Sequence, residues 1–376
     1  MVFPACGFSF MEGIFRRLRS RFGLAPEIPP DSEREIVELP DEGRTVSIEK
    51  ALNSRCTSDY DEDPRNFHWG MFDRMKRLSE DQVHSVVELA RIPRFTALDV
   101  GIRAKEGLLT FVIDNHASGI ERDWAMIESG MQHQAVGLVC AALGVGMAFR
   151  NLGKDGKTLS DGVHATVNIQ LDAMKPSYGA SFWSDMPPVE KKPWQRGNLP
   201  DPARDGTIPL TGALERLKTE KGHGQQPTEE SVGQLLWAAR GRTPHFYKSR
   251  PWGMTVPTWA GEQGISSVYF VSERGVSKYV NWHGGRPTHL LGEAGQADTQ
   301  EISRVLSSFS ASLGLVVLGR NEGFGRALWE IGYQLLNLLV QAHGLGISYR
   351  AVLLDEAQRT TLRRLGIMDP VALLVT

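Results

Sequence analysis

The sequence predicts a mixed protein of α-helices and β-strands that is built from two copies of one half. Three observations support this prediction: helical and strand-like apolar patterns alternate along the chain, four such patterns recur in the same order, and a proline-rich stretch separates the two sets. A length of 376 residues suits two cores better than one. We therefore divide the chain into an N-terminal arm (1–45), a first half (46–175), a linker (176–209) and a second half (210–376).

The N-terminal arm is predicted to lead into the first half as an extended segment. Residues 24–45 are polar, acidic and proline-containing, and Ser47 is a cap-like residue followed by helix formers, so regular structure is expected to start there. Earlier in the arm, Phe15, Leu18 and Phe22 would share one face of a helix, with arginines around them. This helix could pack on the fold or on a partner subunit, or it could bind weakly to a membrane surface.

Two helices recur in both halves. The first is short and ends at a basic residue, over Ala51–Arg55 and again over Ala213–Arg216. The second is amphipathic, over Ser79–Arg91 and again over Thr228–Arg240, with apolar residues at the i, i+3, i+4 and i+7 spacing of a helix. Each amphipathic helix opens with a Ser or Thr and early acidic residues, which helix N-termini prefer.

A strand and a long apolar helix complete the repeat. The strand follows a glycine and covers Leu108–Ile113 in the first half and Ser267–Val271 in the second, where Gly275–Val280 is expected to form a neighbouring strand. The long helix covers residues 127–146 and again 329–348, and in both halves it closes on small residues.

The relative register of the two long helices is open between two alignments. The first alignment pairs Glu128 with Glu330 and Gly130 with Gly332. The second alignment is shifted by two positions and pairs Gly146 with Gly346 and Arg150 with Arg350. Any one of these matches could arise by chance. The common order of all four patterns is what predicts a tandem duplication.

The stretch from Pro176 to Pro209 contains seven prolines, which excludes a helix or a central strand. Trp183 and Trp194 lie between these prolines. Because large aromatic side chains are usually mostly buried, we predict a linker that packs along the surface of the protein and not a flexible tether.

Composition excludes several classes of partner and cofactor. The net charge of −2 offers no broad positive field for nucleic acid or an anionic membrane, and no apolar run reaches the roughly 18–20 residues that a membrane helix needs. Three widely spaced cysteines, Cys6, Cys56 and Cys140, and ten histidines without metal-ligand spacing predict neither disulfides nor a metal site. We expect a cytoplasmic protein with reduced thiols.

Several stretches of the second half resemble a known enzyme family: Gln234–Gly241, Pro257–Gly261, Val268–Val271, Glu330–Leu338 and Asp355–Val375. In the first half, residues 55–60 (Arg-Cys-Thr-Ser-Asp-Tyr) are similar to the opening motif of that family, Arg-x-Ser-x-Arg/Lys-x-Phe/Tyr. The chain thus resembles the nitroreductase superfamily, and within it the azoline-oxidising dehydrogenases of ribosomal-peptide maturation. The resemblance implies an α+β fold, in which an antiparallel-dominated sheet is wrapped by helices, and FMN held between two subunits. In a tandem chain the two halves would form that dimer internally, as a pseudo-dimer.

The resemblance implies a composite FMN site with residues from both halves. The first half would supply Arg55 for the phosphate, Thr57 as a hydroxyl donor, and Ser58, which stands where the family has a second basic residue. The second half would supply a loop whose small residues let the backbone approach the flavin ring: Pro257, Thr258, Trp259, Ala260 and Gly261. Without the resemblance, Arg55 reads as a helix-end arginine and the loop as a turn.

A reciprocal site would pair Arg216 and Lys218 of the second half with residues 93–97 of the first. That stretch lacks the glycine spacing of the loop, and its Arg94 and Phe95 are bulky for a close approach to flavin. We therefore expect at most one good flavin site in each chain.

Three further candidates follow the long helices. Gly346 lies where the chain of the family turns beneath the flavin, and Arg150 and Arg350 could contact the phosphate. The alternative for the glycine is that it only ends its helix.

The resemblance implies an FMN-dependent oxidoreductase that transfers hydride between a nicotinamide or an organic substrate and an organic acceptor. No catalytic side chain is predicted, because flavin itself carries such chemistry. The substrate, a small molecule or a peptide, and the choice between NADH and NADPH stay open, as does further homo-oligomerisation. The alternative is a non-catalytic scaffold, or a protein that binds small molecules or peptides, with a decayed flavin site. A third interpretation is a flavin- or cobalamin-pathway protein that uses this fold for another reaction.

Overall fold

The computed structural model describes most of the chain outside its N-terminal arm. The described residues are 31–39, 41–55, 58–59, 73, 75–97, 100–105, 107–113, 118–150, 167–173, 197–219, 222, 224–243, 253–257, 264–295, 297–321 and 325–376. The predicted arm helix around Phe15, Leu18 and Phe22 and the tryptophans of the linker lie outside the described residues.

Helices and strands are present in both halves. The helices are α1 (Ile48–Ser54), α2 (Glu80–Leu89), α3 (Gly119–Leu143), α4 (Leu210–Thr219), α5 (Glu229–Arg240), α6 (Thr299–Phe309), α7 (Gly325–Gly344) and α8 (Glu356–Arg364). The strands are β1 (Glu35–Ile36), β2 (Ser58–Asp59), β3 (Lys76–Arg77), β4 (Val100–Lys105), β5 (Leu108–Ile113), β6 (Val145–Arg150), β7 (Val167–Ala173), β8 (Arg242–Thr243), β9 (Gly253–Met254), β10 (Ser266–Ser272), β11 (Gly275–His283), β12 (Arg286–Gly295), β13 (Leu315–Arg320), β14 (Arg350–Leu353) and β15 (Pro370–Val375).

Side-chain caps fix the starts of the predicted helices. The hydroxyl of Ser47 accepts a hydrogen bond from the backbone N–H of Lys50 and starts α1. Ser79 and Thr228 each form a reciprocal capping box at the start of α2 and α5. These caps satisfy N–H groups that a helix leaves without partners, and they confirm the predicted helix starts. Regular structure begins earlier than predicted, because β1 pairs with β3 and short 3-10 helices cover Asp31–Glu33 and Asp41–Thr45.

The described residues form two larger sheets, one in each half, and these are mostly antiparallel. The first has the strand order β2-β6-β7-β5-β4 and the second has the order β12-β11-β10-β13-β15-β14. Within these two sheets the pairing of β2 with β6 is parallel and the other pairings are antiparallel. The predicted mixture of helices with antiparallel-dominated sheets is confirmed.

One connection pattern recurs in the two sheets. In the first sheet a strand, a long helix and two strands follow one another as β5, α3, β6 and β7, and β7 lies between β6 and β5. In the second sheet β13, α7, β14 and β15 follow the same path, and β15 lies between β14 and β13. The sheet order corrects one match made from the sequence: Leu108–Ile113 corresponds to β13, and Ser267–Val271 corresponds to β4.

The two long helices cross at backbone contact. A Cβ atom on Gly130 of α3 would overlap the carbonyl oxygen of Trp329, and one on Gly332 of α7 would overlap the carbonyl oxygen of Ile127. The contact is reciprocal, because the first alignment pairs Ile127 with Trp329 as well as Gly130 with Gly332. Such reciprocity is what a two-fold axis between equal surfaces produces.

The helix ends also follow the first alignment. Gly144 after α3 and Gly346 after α7 both have left-handed backbone, with φ of 69° and 63°. The second alignment is wrong for the following strands, because Arg150 ends β6 whereas Arg350 begins β14. The equivalence of these two arginines inferred from the sequence is therefore incorrect.

One apolar core joins the two sheets across α3 and α7. It includes Leu109 of the first sheet, Leu138 and Leu335 of the central helices, and Val316 of the second sheet. A second apolar cluster lies on the other face of the second sheet, beneath α6 and α8. Because β13 is covered on both faces, its apolar residues are continuous and do not alternate with polar ones.

The described part of the predicted linker packs against the second half and α1. Asn198 exchanges two hydrogen bonds with the backbone of Leu291 in β12, at 2.8 and 3.0 Å. Ala203 exchanges two more with the side chain of Gln234 in α5. The backbone of residues 197–205 therefore lies along the edge of the second sheet and across α5.

The glycine crossing leads to a stability prediction. We expect Gly130→Ala or Gly332→Ala to lower the free energy of unfolding by about 1–3 kcal/mol, because the added methyl group forces the helices apart. Gly212→Ala is the matched control, since Gly212 is exposed on helix α4 with open space around it. That change should stabilise the protein by up to about 1 kcal/mol. Urea unfolding measures all three, and equal effects at positions 130 and 212 would contradict the close crossing.

Candidate functional site

Arg55 of the first half contacts the segment that precedes the predicted flavin loop of the second half. Its side chain follows the end of α1 and is 3% exposed. The guanidinium Nε donates to the carbonyl oxygen of Thr255 at 3.1 Å, and Nη2 donates to that of Met254 at 3.0 Å. Pro257, the first residue of the predicted loop, follows two residues later and is buried. The structure thus brings together two stretches that lie 200 residues apart in sequence.

The carbonyl oxygen of Thr255 accepts two further hydrogen bonds. Gln134 of α3 donates from Nε2 at 2.9 Å, and Asn337 of α7 donates from Nδ2 at 3.2 Å. The same Gln134 Nε2 also donates to Asn337 Oδ1 at 2.9 Å. Three elements from both halves therefore meet at one backbone carbonyl, which we name the Thr255 junction: Arg55, Gln134, Thr255 and Asn337.

The amides of the Thr255 junction were missed when site residues were chosen from the sequence. Both are buried, with Gln134 1% and Asn337 0% exposed. The sequence does carry a signal for them, since each is an amide within a long apolar helix. Buried amides need hydrogen-bond partners, so such a residue indicates a specific polar contact. The apolar pattern of the helix does not identify the hydrogen-bond partner of the amide.

The contacts of Arg55 bear on its predicted role. Nε and Nη2 form one of the two-donor edges of a guanidinium, and such edges bind carboxylates and phosphates bidentately. In this structure that edge faces the carbonyl oxygens of Met254 and Thr255. Arg55 thereby holds the backbone of residues 254–255, and its contact with a phosphate stays a prediction.

A second buried polar group lies where the described chain resumes at Gly264. Gly264 has φ of 66°, and a Cβ there would overlap the guanidinium of Arg240. That guanidinium pairs with Glu330 of α7 and donates to Ser266 Oγ at 3.0 Å. Ser266 in turn donates to Glu330 at 2.6 Å. The central helix α7 therefore contacts the chain both before and after residues 258–263.

The region predicted for the reciprocal site is organised differently. Glu128 of α3, the counterpart of Glu330, is buried and accepts hydrogen bonds from the backbone N–H groups of Phe95 at 3.1 Å and Thr96 at 2.7 Å. Burial raises the pKa of Glu128 above its ordinary value, although these hydrogen bonds oppose the rise. Arg91, which the sequence aligns with Arg240, is exposed and pairs with Glu88 at 3.1 Å. Two backbone donors of residues 93–97 thus serve a carboxylate of the protein.

The remaining predicted residues lie in several places. Arg216 is exposed on α4, and Lys218 on the same helix donates to Glu215 at 2.7 Å. Arg350 donates to the carbonyl oxygen of Phe309 at 2.6 Å. Ser58 lies in β2 opposite Ala148 of β6, and Arg150 ends β6. Thr57 and the loop residues Thr258, Trp259, Ala260 and Gly261 lie outside the described residues.

A histidine–tyrosine pair fills the space beside the helix crossing. His133 Nδ1 of α3 lies 2.6 Å from the hydroxyl of Tyr333 of α7, and both side chains are fully buried. Burial lowers the pKa of His133 to about 3, and the positive charge of Arg55 contributes to the lowering. Burial, with the nearby carboxylate of Glu330, raises the pKa of Tyr333 well above its ordinary value. The pair is therefore neutral near pH 7.

Two other features are absent from the described residues. In that part of the chain, no helix combines the length and the apolar character that crossing a membrane requires. The same residues contain no cluster of three or more His, Cys, Asp or Glu side chains placed to hold a metal ion.

The fold and the Thr255 junction define an α+β protein whose two halves share one core and one buried polar centre. No family model and no curated protein matches the chain. Among solved structures, a presumed nitroreductase from Ralstonia eutropha JMP134 matches with 22% sequence identity and a TM-score of 0.35, over 47% of this chain and 86% of that chain.

The buried histidines lead to a pH prediction. Burial lowers the pKa of His133 to about 3 and that of His289 to about 4. In the unfolded chain both side chains have the ordinary histidine pKa of about 6.5. The unfolded state thus binds more protons below that pH. We expect the free energy of unfolding to be at its full value above pH 6.5 and to fall, as pH falls towards 4, by up to about 1.4 kcal/mol per pH unit for each histidine.

Urea unfolding between about pH 4.5 and 7 measures this slope. The double variant His133→Phe/Tyr333→Phe removes the pair without leaving a lone buried hydroxyl, and it should reduce the slope by about one proton. Tyr333→Phe alone keeps the buried histidine and should keep the slope. A double variant with the wild-type slope would show that His133 does not titrate differently in the two states.

Proposed function

We propose that this chain is a flavin-dependent oxidoreductase with one FMN site, located between its halves where Arg55 meets residues 254–257. The observation that carries the proposal is the contact of Arg55 with the backbone of Met254 and Thr255. The sequence resemblance assigns Arg55 and the loop from Pro257 to one composite site. Their proximity supports that assignment, because nothing in the local sequence requires the two stretches to meet.

We further propose that the chain is a tandem duplication whose halves take the place of two subunits. The reciprocal overlap positions at Gly130 and Gly332 support an internal two-fold axis between α3 and α7. The repeated path of strand, long helix and two strands supports it independently. Each half then contributes one central helix to the composite site.

The described residues fit FMN in part. The buried Pro257 and the fixed carbonyl of Thr255 suit a backbone that must approach a flat ring closely and stay in place. When bound, the flavin would supply the redox chemistry by accepting and returning a hydride equivalent. We propose that Arg55 positions the start of the loop, and that Thr57, Ser58, Arg150 and Arg350 are candidates for the phosphate side. Gly346 is the candidate for the turn beneath the flavin. The electron donor would be NADH, NADPH or an organic substrate, which is a small molecule or a peptide.

The reciprocal region supports one site and not two. Glu128 already occupies the backbone donors of Phe95 and Thr96, which a flavin ring at that position would need. Arg216 and Lys218 lie on the outer part of α4, where Lys218 pairs with Glu215. We therefore propose that the first half still packs against the second half in the common core but does not form a second flavin site.

A second candidate function is a scaffold that binds no flavin. The observation that favours it is that both predicted sites use their polar groups internally: Arg55 donates to backbone carbonyls, and Glu128 accepts from backbone N–H groups. Under this alternative the junction serves stability alone.

Flavin uptake separates the two candidates. We expect the protein, as purified or after addition of FMN, to absorb near about 450 nm and to bleach with a reductant. Arg55→Lys keeps a positive charge but lacks the planar two-donor edge that contacts both carbonyls, so it should weaken FMN binding about 10-fold with a modest loss of stability. Arg359→Lys is the matched control, since Arg359 is buried, 4% exposed, and pairs with Asp123 away from the junction. A spectrum that stays flat after FMN is added would instead favour the scaffold.

Stoichiometry tests the asymmetry of the halves. We expect calorimetric titration and the flavin released on denaturation to agree on one FMN per chain. The reason is that the donors of Phe95 and Thr96 are held by Glu128. Two equivalents of FMN per chain would show that the region of residues 93–97 is a working site after all.

A further inference from the structure

The amides of Gln134 and Asn337 share one task at the Thr255 junction. Each is buried in a central helix, and each donates to the carbonyl oxygen of Thr255, at 2.9 and 3.2 Å. Asn337 Nδ2 also donates to the carbonyl oxygen of Ala238 in α5 at 2.9 Å. The amide of Gln134 holds Asn337 through its Oδ1 at 2.9 Å. The two side chains thus orient each other as well as the segment they contact.

Packing alone does not account for these amides. Both helices contribute apolar residues to the common core, and the face of α7 around Asn337 also carries buried Glu330, Gln334 and Gln341. Leucine or methionine of similar volume would fill the space of either amide. Buried polar groups contribute little net stability, yet they require partners in fixed directions. The two amides therefore fix the position of the backbone of residues 254–257 relative to both α3 and α7.

The same segment is fixed from both directions along the chain. Before the predicted loop, the carbonyl of Thr255 is held by the amides and by Arg55. After it, Gly264 lies against Arg240, whose partner Glu330 comes from α7, two turns before Asn337. Thr255 is thus in contact with both central helices, and Gly264 packs against the arginine that pairs with Glu330 of α7.

We propose that Gln134 and Asn337 are positioning residues of the flavin site, which fix the backbone of residues 254–257 where the predicted loop begins. The proposal rests on the proposed function. One amide comes from each half, so the placement of the flavin-facing backbone depends on how the two halves pack. They act on the flavin through the backbone of residues 254–257 and need not touch it.

The test uses the full chain and replaces each amide with an apolar residue of similar shape. Gln134→Met and Asn337→Leu remove one donor each and leave the carbonyl of Thr255 with two others. Gln341→Met is the matched control: Gln341 is fully buried on α7, one turn after Asn337, and donates to Glu49 at 2.7 Å and not to residues 254–257. If an apolar variant fails to fold, Gln134→Glu and Asn337→Asp keep the shape and turn a donor into an acceptor.

Two measurements are made on each variant. The first is the dissociation constant of FMN with the visible spectrum of the bound flavin, which reports its surroundings. The second is hydrogen–deuterium exchange of peptides covering residues 253–257 in flavin-free protein, which reports whether the segment is held. We expect each amide variant to weaken FMN binding about 10-fold and to speed that exchange, whereas Gln341→Met changes neither beyond its effect on stability.

The outcomes are distinguishable. If wild-type protein binds FMN and both amide variants bind it with the same affinity, the proposed function is not affected and the positioning role is overturned. Unchanged exchange at residues 253–257 would overturn it as well, because the amides would then not hold the segment. Wild-type protein that takes up no FMN would overturn the proposed function itself, and the positioning role with it.

Discussion

The close crossing of α3 and α7 sets how the buried polar side chains of the two central helices meet. Because Gly130 and Gly332 have no side chains, the two backbones touch, and side chains that follow these glycines come within hydrogen-bonding distance across the crossing. His133 then meets Tyr333, and Gln134 meets Asn337. With bulkier residues at the crossing, the helices would stand further apart, and the carbonyl of Thr255 could not reach both amides. The polar centre is therefore a consequence of helix geometry.

Much of the fold follows from local sequence signals, and the rest depends on contacts that those signals do not contain. Caps at Ser79 and Thr228 and helical spacing locate the helices, since both act within a few residues. The order of strands was harder to infer. β5, β10 and β13 are short strands with apolar runs of similar length, so their patterns do not identify which strands correspond. The register of the long helices was open for the same reason, until the contacts of Gly130 and Gly332 distinguished the two alignments.

The candidate site was partly predictable. The sequence resemblance placed Arg55 beside the loop from Pro257, and the structure brings Arg55 to the backbone just before that residue. The carbonyl oxygens that accept from Arg55 could not be inferred. Every residue has a backbone carbonyl, and sequence patterns do not indicate which of them an arginine contacts. Gln134 and Asn337 carried a usable signal, as amides on apolar helices, but their common target is far from both of them along the chain. Distant pairing of this kind is a property of the folded core.

Glu128 and Glu330 occupy related positions but have different partners. Glu330 neutralises a buried arginine and steadies Ser266, whereas Glu128 caps two backbone N–H groups. In a homodimer every residue occurs twice, so neither role could be changed without changing the other. Under the proposed duplication, a single chain that carries both copies removes that coupling, and each glutamate can be substituted on its own. The region of residues 93–97 could then diverge without any matching change in the network of Glu330.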